Sequence, residues 1–364
     1  MLFDLTLLTL ALTTFASANP ISKRAPKHLS YPLHKVEYNE THEIAKRSGH
    51  SSLPLDNYYD FGYYANISIG SNKAPLHVQV DTGSYQLWIP ESKTGDSLNK
   101  FDPFISKTYK NESKPYEITY VGQDSVKGYY GTDDLWLPDG TKVPNYEFAT
   151  VYQYSRSTPF WGIAGSTVKN ISVANAMRNA GLIDHAAYSI ELGALHAQKA
   201  SLVFGAIDRA KYNGNLTILP KGDGTGVLTN SVTFANGKKF NIGINLPIDT
   251  GAPFTYLSKP IADPILTELS GGKLNSDYTF DCSIANQNKN LTFNFNGVNI
   301  DIPYSDLIRQ SGSKCVSTIL VDTFQVLGDN FLRHAYVAWN FDTNKVGLAQ
   351  ATHSDKTDLI DFYF

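Results

Sequence analysis

The sequence contains the tripeptide Asp-Thr-Gly twice, and each copy directly follows apolar residues spaced as in a β-strand. The first copy lies in VDTGSYQ (80–86) and the second in IDTGAPF (248–254). One such tripeptide is explained by a turn in which the aspartate bonds its own backbone. Two copies at similar places in the two halves of the chain instead predict that each half supplies one carboxylate, Asp81 or Asp249, to a shared site.

Two carboxylates held close together cannot both ionise easily, so the pair keeps one proton between them. The ionised partner can then accept a proton from a water molecule while the protonated partner donates to a carbonyl oxygen. This chemistry requires no metal ion and no covalent intermediate. We therefore expect neither a metal nor a cofactor.

The composition is that of an ordinary globular protein, with 364 residues, 42% hydrophobic, 18% charged and a net charge of −3. This charge balance gives no reason to expect a nucleic-acid partner, and the length favours two lobes. Residues 291–295 alternate in polarity as a strand does. Asp139-Gly140, Asn236-Gly237 and Asn296-Gly297 are typical of tight hairpin turns. Only two short helices are predicted, at 172–180 and 258–269, each beginning at a serine cap. The fold class is all-β.

The N-terminal residues predict export. Residues 5–18 are apolar and end in Ala-Ser-Ala, as a signal peptide (1–18) does, although a buried N-terminal helix would also fit. We expect a secreted, extracellular protein without a membrane anchor. Glycosylation would then be possible at Asn-x-Ser/Thr sites, namely Asn39, Asn66, Asn111, Asn170, Asn215 and Asn290. In an oxidising compartment Cys282 and Cys315 would bond, the alternative being two free thiols.

Residues 19–47 differ from the rest of the chain because they carry six Lys or Arg residues against three Glu. The segment ends in Lys46-Arg47, a dibasic pair followed by small polar residues. We interpret 19–47 as a basic propeptide that a protease removes after Arg47. A solvated charge pair in a tail is the alternative.

Several segments together resemble pepsin-like aspartic proteases, and most of all the secreted yeast and fungal enzymes of candidapepsin and yapsin type. The resemblance covers nearly all of residues 60–350. Its motifs are the two active-site loops VDTGSYQLWIP (80–90) and IDTGAPFTYLS (248–258), the flap EITYVGQDSVKGYYG (117–131), and the strands at 161–165 and 326–349. It implies a bilobal fold of two similar antiparallel β-barrel lobes, at 48–214 and 215–364, with the active-site cleft between them. A monomer is expected.

The resemblance also implies residue roles. Asp81 and Asp249 become the catalytic pair, and Cys282 with Cys315 matches the disulfide of the second lobe. The expected supporting residues of the active site are Thr82, Gly83, Ser84, Thr250, Gly251 and Ala252. The expected substrate-binding residues are Tyr120 and Gly122 of the flap, Asp124, Trp88 and Ile163. Trp88 would orient Tyr120 through its indole N–H, and Ile163 would line an apolar pocket. For Trp88 and Ile163 a purely structural role in the core is the alternative.

The chain departs from the family pattern at three places. Residues 91–104 contain no cysteine, so the usual first-lobe disulfide cannot form. Val121 follows the flap tyrosine where glycine is usual. Ala252 stands where most relatives have Ser or Thr, so Asp249 lacks a hydroxyl donor. This lack should raise the pKa assigned to the pair and favour a mildly acidic optimum of roughly pH 4–6.

The function expected from these features is hydrolysis of internal peptide bonds in extended protein segments, with inhibition by a pepstatin-type compound. Asp124 would favour a basic residue before the cleaved bond, or would be a solvated turn acid. An inactive pepsin-fold binding or inhibitor protein is the alternative function, although both Asp-Thr-Gly copies are intact. A glycosidase with paired carboxylates has no motif in its favour.

Overall fold

The computed structural model describes residues 29–35, 62–92, 99–120, 125–138, 140–154, 159–165, 171–197 and 199–364, with the backbone alone for 29–35 and Lys199. Several sequence predictions lie outside these residues. They are the signal peptide, most of the basic segment with Lys46-Arg47, Val121, Gly122 and Asp124 of the flap, Asp139 of the predicted Asp139-Gly140 turn, and the sites Asn39 and Asn170.

Strands dominate the described residues, which confirms the all-β prediction. In the first half of the chain they are β1 (Leu29–Lys35), β2 (Tyr63–Ile69), β3 (Ala74–Asp81), β4 (Trp88–Pro90), β5 (Lys110–Thr119), β6 (Ser125–Trp136), β7 (Lys142–Gln153), β8 (Phe160–Gly162), β9 (Ala187–Glu191), β10 (Lys199–Phe204) and β11 (Ala206–Asp208). In the second half they are β12 (Thr217–Pro220), β13 (Val227–Thr233), β14 (Lys239–Leu246), β15 (Thr255–Leu257), β16 (Thr279–Phe280), β17 (Asn290–Phe295), β18 (Val298–Pro303), β19 (Ile308–Ser311), β20 (Lys314–Ser317), β21 (Ile319–Val321), β22 (Ala335–Asn340), β23 (Lys345–Gln350) and β24 (Leu359–Asp361).

The described helices are short: α1 (Val173–Asn179), α2 (Lys259–Leu269), α3 (Tyr304–Leu307) and α4 (Asp329–Leu332), with 3₁₀ turns at Arg209–Lys211 and Cys282–Ile284. The two predicted helices are therefore present. The expected serine caps are wrong in one respect, because neither Ser172 nor Ser258 makes a side-chain capping hydrogen bond. Ser172 is fully buried, and its hydroxyl makes no hydrogen bond with the described residues.

One large sheet joins the two halves of the chain. Thirteen of the described strands belong to it, and its main path runs β12-β23-β22-β9-β10-β1-β2-β6-β7-β4. Strand β1, from the basic segment, lies near the middle of that path and pairs antiparallel with β10 from Leu29 to His34. On its other side β1 pairs with β2 through His34 and Lys35, so part of the basic segment lies within this sheet.

The second half adds smaller sheets, among them β14-β13-β17-β18 and β16-β20-β19. Strands β17 and β18 form a hairpin in which Phe295 pairs with Val298, leaving Asn296-Gly297 as the two turn residues. Gly297 has φ +92°, a conformation that glycine adopts without steric cost. The structure thus contains the tight turn that this dipeptide predicts. The division between lobes at residues 214 and 215 stays a prediction.

A disulfide joins Cys282 to Cys315, as predicted, and Cys315 lies on β20. The two cysteines are 33 residues apart in sequence, so the bond closes a loop that includes the β17–β18 hairpin. Cross-linking a loop of this size restricts the unfolded chain, which is the main source of disulfide stabilisation in the chain-entropy model.

Replacing both cysteines by alanine should lower the free energy of unfolding by about 3–4 kcal/mol, because the unfolded chain regains its loop entropy. Guanidinium unfolding of the wild-type and double-alanine proteins measures this difference. A control under reducing conditions should bring the wild-type midpoint to that of the variant. Equal midpoints before reduction would contradict the expectation.

Candidate active site

Each Asp-Thr-Gly loop begins at the end of an extended segment that pairs in parallel with a second extended segment. Asp81 is the last residue of β3, which pairs in parallel with β8, and the Ile163 amide donates to the Asp81 carbonyl (2.9 Å). In the second half Ile248 pairs in parallel with Leu327, whose carbonyl accepts from the Asp249 amide (3.0 Å). These paired segments fix where both loops start.

The two loops are joined by reciprocal hydrogen bonds between Thr82 and Thr250. The Thr82 amide donates to Thr250 Oγ1 (3.1 Å), and the Thr250 amide donates to Thr82 Oγ1 (3.0 Å). Each hydroxyl then donates onward across the junction, Thr82 Oγ1 to the Ile248 carbonyl (2.9 Å) and Thr250 Oγ1 to the Val80 carbonyl (2.7 Å). Both threonines are fully buried. A buried and fully paired polar network of this kind fixes a single arrangement of the groups that it joins.

Gly83 and Gly251 donate to the carboxylate of their own loop, and their lack of a side chain lets each loop lie against the carboxylate of the other loop. The Gly83 amide donates to Asp81 Oδ1 (2.8 Å), and the Gly251 amide donates to Asp249 Oδ1 (2.7 Å). A Cβ atom on Gly83 would lie 2.4 Å from Asp249 Oδ2, and one on Gly251 would lie 2.7 Å from Asp81 Oδ1. Side chains larger than hydrogen are therefore excluded at both positions, and the two carboxylates lie face to face.

The two carboxylates have different surroundings. Asp81 is buried and accepts a short bond from Ser84 Oγ (2.5 Å) in addition to the Gly83 amide. No side-chain hydroxyl of the described residues donates to Asp249. Its pKa is raised well above the ordinary value, first by loss of water contact, then by the charge of Asp81 and by a hydrogen bond with it. The Gly251 and Gly83 amides act in the opposite direction but do not cancel the rise. This direction favours the protonated form of Asp249.

The flap tyrosine contacts the tryptophan that the resemblance assigns to it. Trp88 Nε1 donates to the Tyr120 hydroxyl (2.8 Å), and the Tyr120 ring meets Phe160 edge to face with centroids 5.0 Å apart. Trp88 is fully buried, so its ring packs in the core while its N–H sets the position of Tyr120. Ile163 is also fully buried in the core, a position that suits the structural alternative better than a pocket lining.

Sequence reasoning missed several residues at the site. Thr225 Oγ1 donates to the Ile248 carbonyl (3.0 Å) and so adds a second bond behind the Asp249 loop. The Tyr188 ring is fully buried, and burial followed by the charges of Asp81 and Asp249 raises the pKa of its hydroxyl. Tyr85 follows Ser84 in the first loop and is 40% exposed. No local motif marks Thr225 and Tyr188, because the fold alone brings them to the site.

The four glycosylation candidates within the described residues are exposed, namely Asn66, Asn111, Asn215 and Asn290. Asn66 Oδ1 lies 2.9 Å from His77 Nδ1, and Asn111 Oδ1 accepts from the Ser113 amide (2.7 Å). Exposure is compatible with glycan attachment, which stays a prediction at each site. No described helix is long and apolar enough to cross a membrane.

Two crossed Asp-Thr-Gly loops with facing carboxylates define the site of an aspartic protease. Comparison with known sequences agrees with this class. The family model described as eukaryotic aspartyl protease matches residues 62–351. Secreted aspartic protease 8 of Candida albicans is 32% identical over 319 residues, which cover 82% of this chain and 78% of the relative. Candidapepsin-1 of the same species (strain WO-1) is 30% identical, with 97% of each chain covered.

The chain belongs to the eukaryotic aspartyl protease family and is a secreted aspartic endopeptidase. Secreted aspartic protease 3 of Candida albicans is a further relative, 28% identical with 82% of this chain covered.

Placing a hydroxyl at position 252 tests the asymmetry of the pair. Ala252→Thr supplies a donor like the one that Ser84 gives to Asp81, and a donor to the charged form lowers a carboxyl pKa. A hydrogen bond to a charged group corresponds to a shift of about one unit. The high-pH limb of the activity profile, where the shared proton is lost, should therefore move to lower pH by about that amount.

The measurement is kcat/KM against pH for both proteins on one peptide, with Ser84→Ala as the reverse control. Removing the Ser84 hydroxyl, which donates to Asp81, should instead move the low-pH limb, where the base is lost by protonation, to higher pH. An unchanged profile in Ala252→Thr would mean that water already fills the place of the hydroxyl.

Proposed function

We propose that the chain hydrolyses internal peptide bonds of extended protein segments through one proton shared by Asp81 and Asp249, with an acidic pH optimum. The observation that carries the proposal is the pair of facing carboxylates fixed by the Thr82–Thr250 bonds. The unequal surroundings of the carboxylates support different roles for them in this proposal. Asp81, with the Ser84 and Gly83 donors, is the base, and Asp249 is the acid.

In the first step, Asp81 takes a proton from a water molecule as the water oxygen attacks the peptide carbonyl carbon. Asp249 gives its proton to the carbonyl oxygen at the same time, which produces a neutral tetrahedral diol. In the second step, Asp81 passes its proton to the peptide nitrogen and the carbon–nitrogen bond breaks. One hydroxyl of the diol returns a proton to Asp249, which restores the starting state of the pair.

This cycle works only while the pair holds one proton. At low pH both carboxyls are protonated and the base is lost, whereas at higher pH the acid is lost. Because the pKa of Asp249 is raised, the pair keeps its proton over part of the range in which an ordinary aspartic acid is ionised. This supports the expected optimum of roughly pH 4–6.

The substrate would lie in the cleft in extended form beneath the flap, whose stem is the β5–β6 hairpin. Tyr120 and Trp88 support the proposed flap position through their hydrogen bond. The proposal also includes a preference for a basic substrate residue before the cleaved bond, with Asp124 as the residue that pairs with it. It further includes processing after Lys46-Arg47, which gives a mature chain that begins at Ser48. An inactive binding protein is the less favoured alternative, since both carboxylates and their donors are present.

The test is digestion of a denatured protein across the acidic range, with and without a pepstatin-type inhibitor. Asp81→Asn should reduce the rate at least about a hundredfold, because a general base contributes that much or more. Asp355→Asn is the matched control, since it also removes one carboxylate but at an exposed position in the C-terminal segment. Equal activity of Asp81→Asn and the wild-type protein, or digestion that the inhibitor leaves unchanged, would reject the mechanism.

A further inference from the structure

A cavity of about 280 Å³ lies on the solvent side of the large sheet, where strands β2, β3 and β6 adjoin. Asn66 and Ser68 of β2 line it, together with His77 of β3 and Trp136 at the end of β6. Its volume is close to the lower end of the ~300–1,000 Å³ typical of small-molecule sites. The exposed side chain of Asn66 places the cavity at the protein surface.

The strand register brings these side chains to one face of the sheet. Asn66 is the antiparallel partner of His77, and Ser68 is the partner of Trp136. Direct partners share a face, and so do residues two apart on one strand. Asn66 and Trp136 are therefore diagonal neighbours, a relation that corresponds to about 7–8 Å and is within reach of an aromatic side chain. A ring-sized group attached to Asn66 would meet Trp136.

The ring of Trp136 is held in place by the turn between β2 and β3. Its Nε1 donates to the Gly70 carbonyl (3.1 Å), and Lys73 Nζ lies 4.0 Å from the ring centre. Trp136 is half-buried, so its ring is packed on the protein and still lines the cavity. A surface fixed in advance loses little conformational freedom when a ligand binds, which lowers the entropic cost of binding.

Asn66 is also the first residue of Asn66-Ile67-Ser68, an acceptor sequence for N-linked glycans in secreted proteins. Its Oδ1 lies 2.9 Å from His77 Nδ1. This contact is made by the amide oxygen, whereas a glycan is attached to Nδ2. The contact with His77 can therefore persist in the glycosylated chain.

We propose that Asn66 carries an N-linked glycan and that the cavity seats its first N-acetylglucosamine against Trp136. Attachment joins Nδ2 to C1 of the sugar, breaks the bond from C1 to the diphosphate of a lipid-linked oligosaccharide donor, and passes one Nδ2 proton to that diphosphate. The C–H groups on one face of the sugar contact the tryptophan ring, while the hydroxyl groups stay in water. Pro75 and Pro138 add rigid apolar surface to the cavity. The proposal is independent of the peptidase mechanism.

The test uses the secreted protein from a yeast host that adds N-linked glycans. A peptide-N-glycosidase is applied to the folded protein, and mass spectrometry of the peptides follows glycan release at Asn66 over time. The glycosidase acts on a sugar that has left its seat, so seating slows release. Release at Asn66 should be about fivefold faster in Trp136→Leu than in the wild-type protein, the factor expected from loss of one aromatic contact.

Two further variants show which property of Trp136 matters. Trp136→Phe keeps an aromatic ring but cannot donate to Gly70, so it should retain the slow release. Tyr152→Leu is the matched control and should release as the wild-type protein does, since Tyr152 is an aromatic residue, 56% exposed, that does not line the cavity. Asn290, an exposed acceptor on strand β17, provides a reference rate within each protein. Melting temperatures show that each variant is folded.

A second measurement leaves Trp136 unchanged. Endoglycosidase H trims each glycan to a single N-acetylglucosamine, and Ser68→Ala prevents attachment while keeping Asn66 and its contact with His77. After trimming, the wild-type protein should melt about 2 °C above Ser68→Ala, because the seated sugar stabilises only the folded chain. Ser68→Thr preserves the acceptor sequence and should melt as the wild-type protein does.

An unmodified Asn66 in the wild-type protein would overturn the proposal. Equal release rates at Asn66 in the wild-type protein and in Trp136→Leu would reject the seat, as would equal melting temperatures of the trimmed wild-type protein and Ser68→Ala.

Discussion

The reciprocal hydrogen bonds between Thr82 and Thr250 are the constraint on which the site depends. They lie in the buried junction between two halves whose sequences are far apart, and they connect backbone and hydroxyl groups in both directions. Since neither threonine is exposed, each unmade bond would leave a buried polar group without a partner. The loops are therefore fixed together, and the glycines that follow can bring the carboxylates into contact.

The geometry is nearly symmetrical, but the chemistry is not. Ser84 gives Asp81 a donor that Asp249 lacks, because alanine occupies position 252. This single difference matches the direction in which the pKa of Asp249 moves and supports the proposed roles of base and acid. The asymmetry lies in the loops themselves.

The sequence predicted those features whose cause is local or repeated. The two Asp-Thr-Gly copies identified Asp81 and Asp249, and Asn296-Gly297 identified a hairpin because its backbone conformation favours glycine. Features that depend on distant contacts were not predicted. Thr225 lies behind the second loop only because the chain folds back. Ser172 lies at the N-cap position of α1, but its buried side chain makes no capping hydrogen bond, which the local pattern alone does not predict.

The central claim is that the facing carboxylates share one proton, and infrared difference spectroscopy tests it most directly. A protonated carboxyl group has a carbonyl band that an ionised carboxylate lacks. At pH 5, where an isolated aspartic acid of pKa about 3.9 is ionised, the wild-type protein should show one such band that Asp249→Asn lacks. A wild-type spectrum without this band at pH 5 would mean that both carboxylates are ionised, and it would contradict the account.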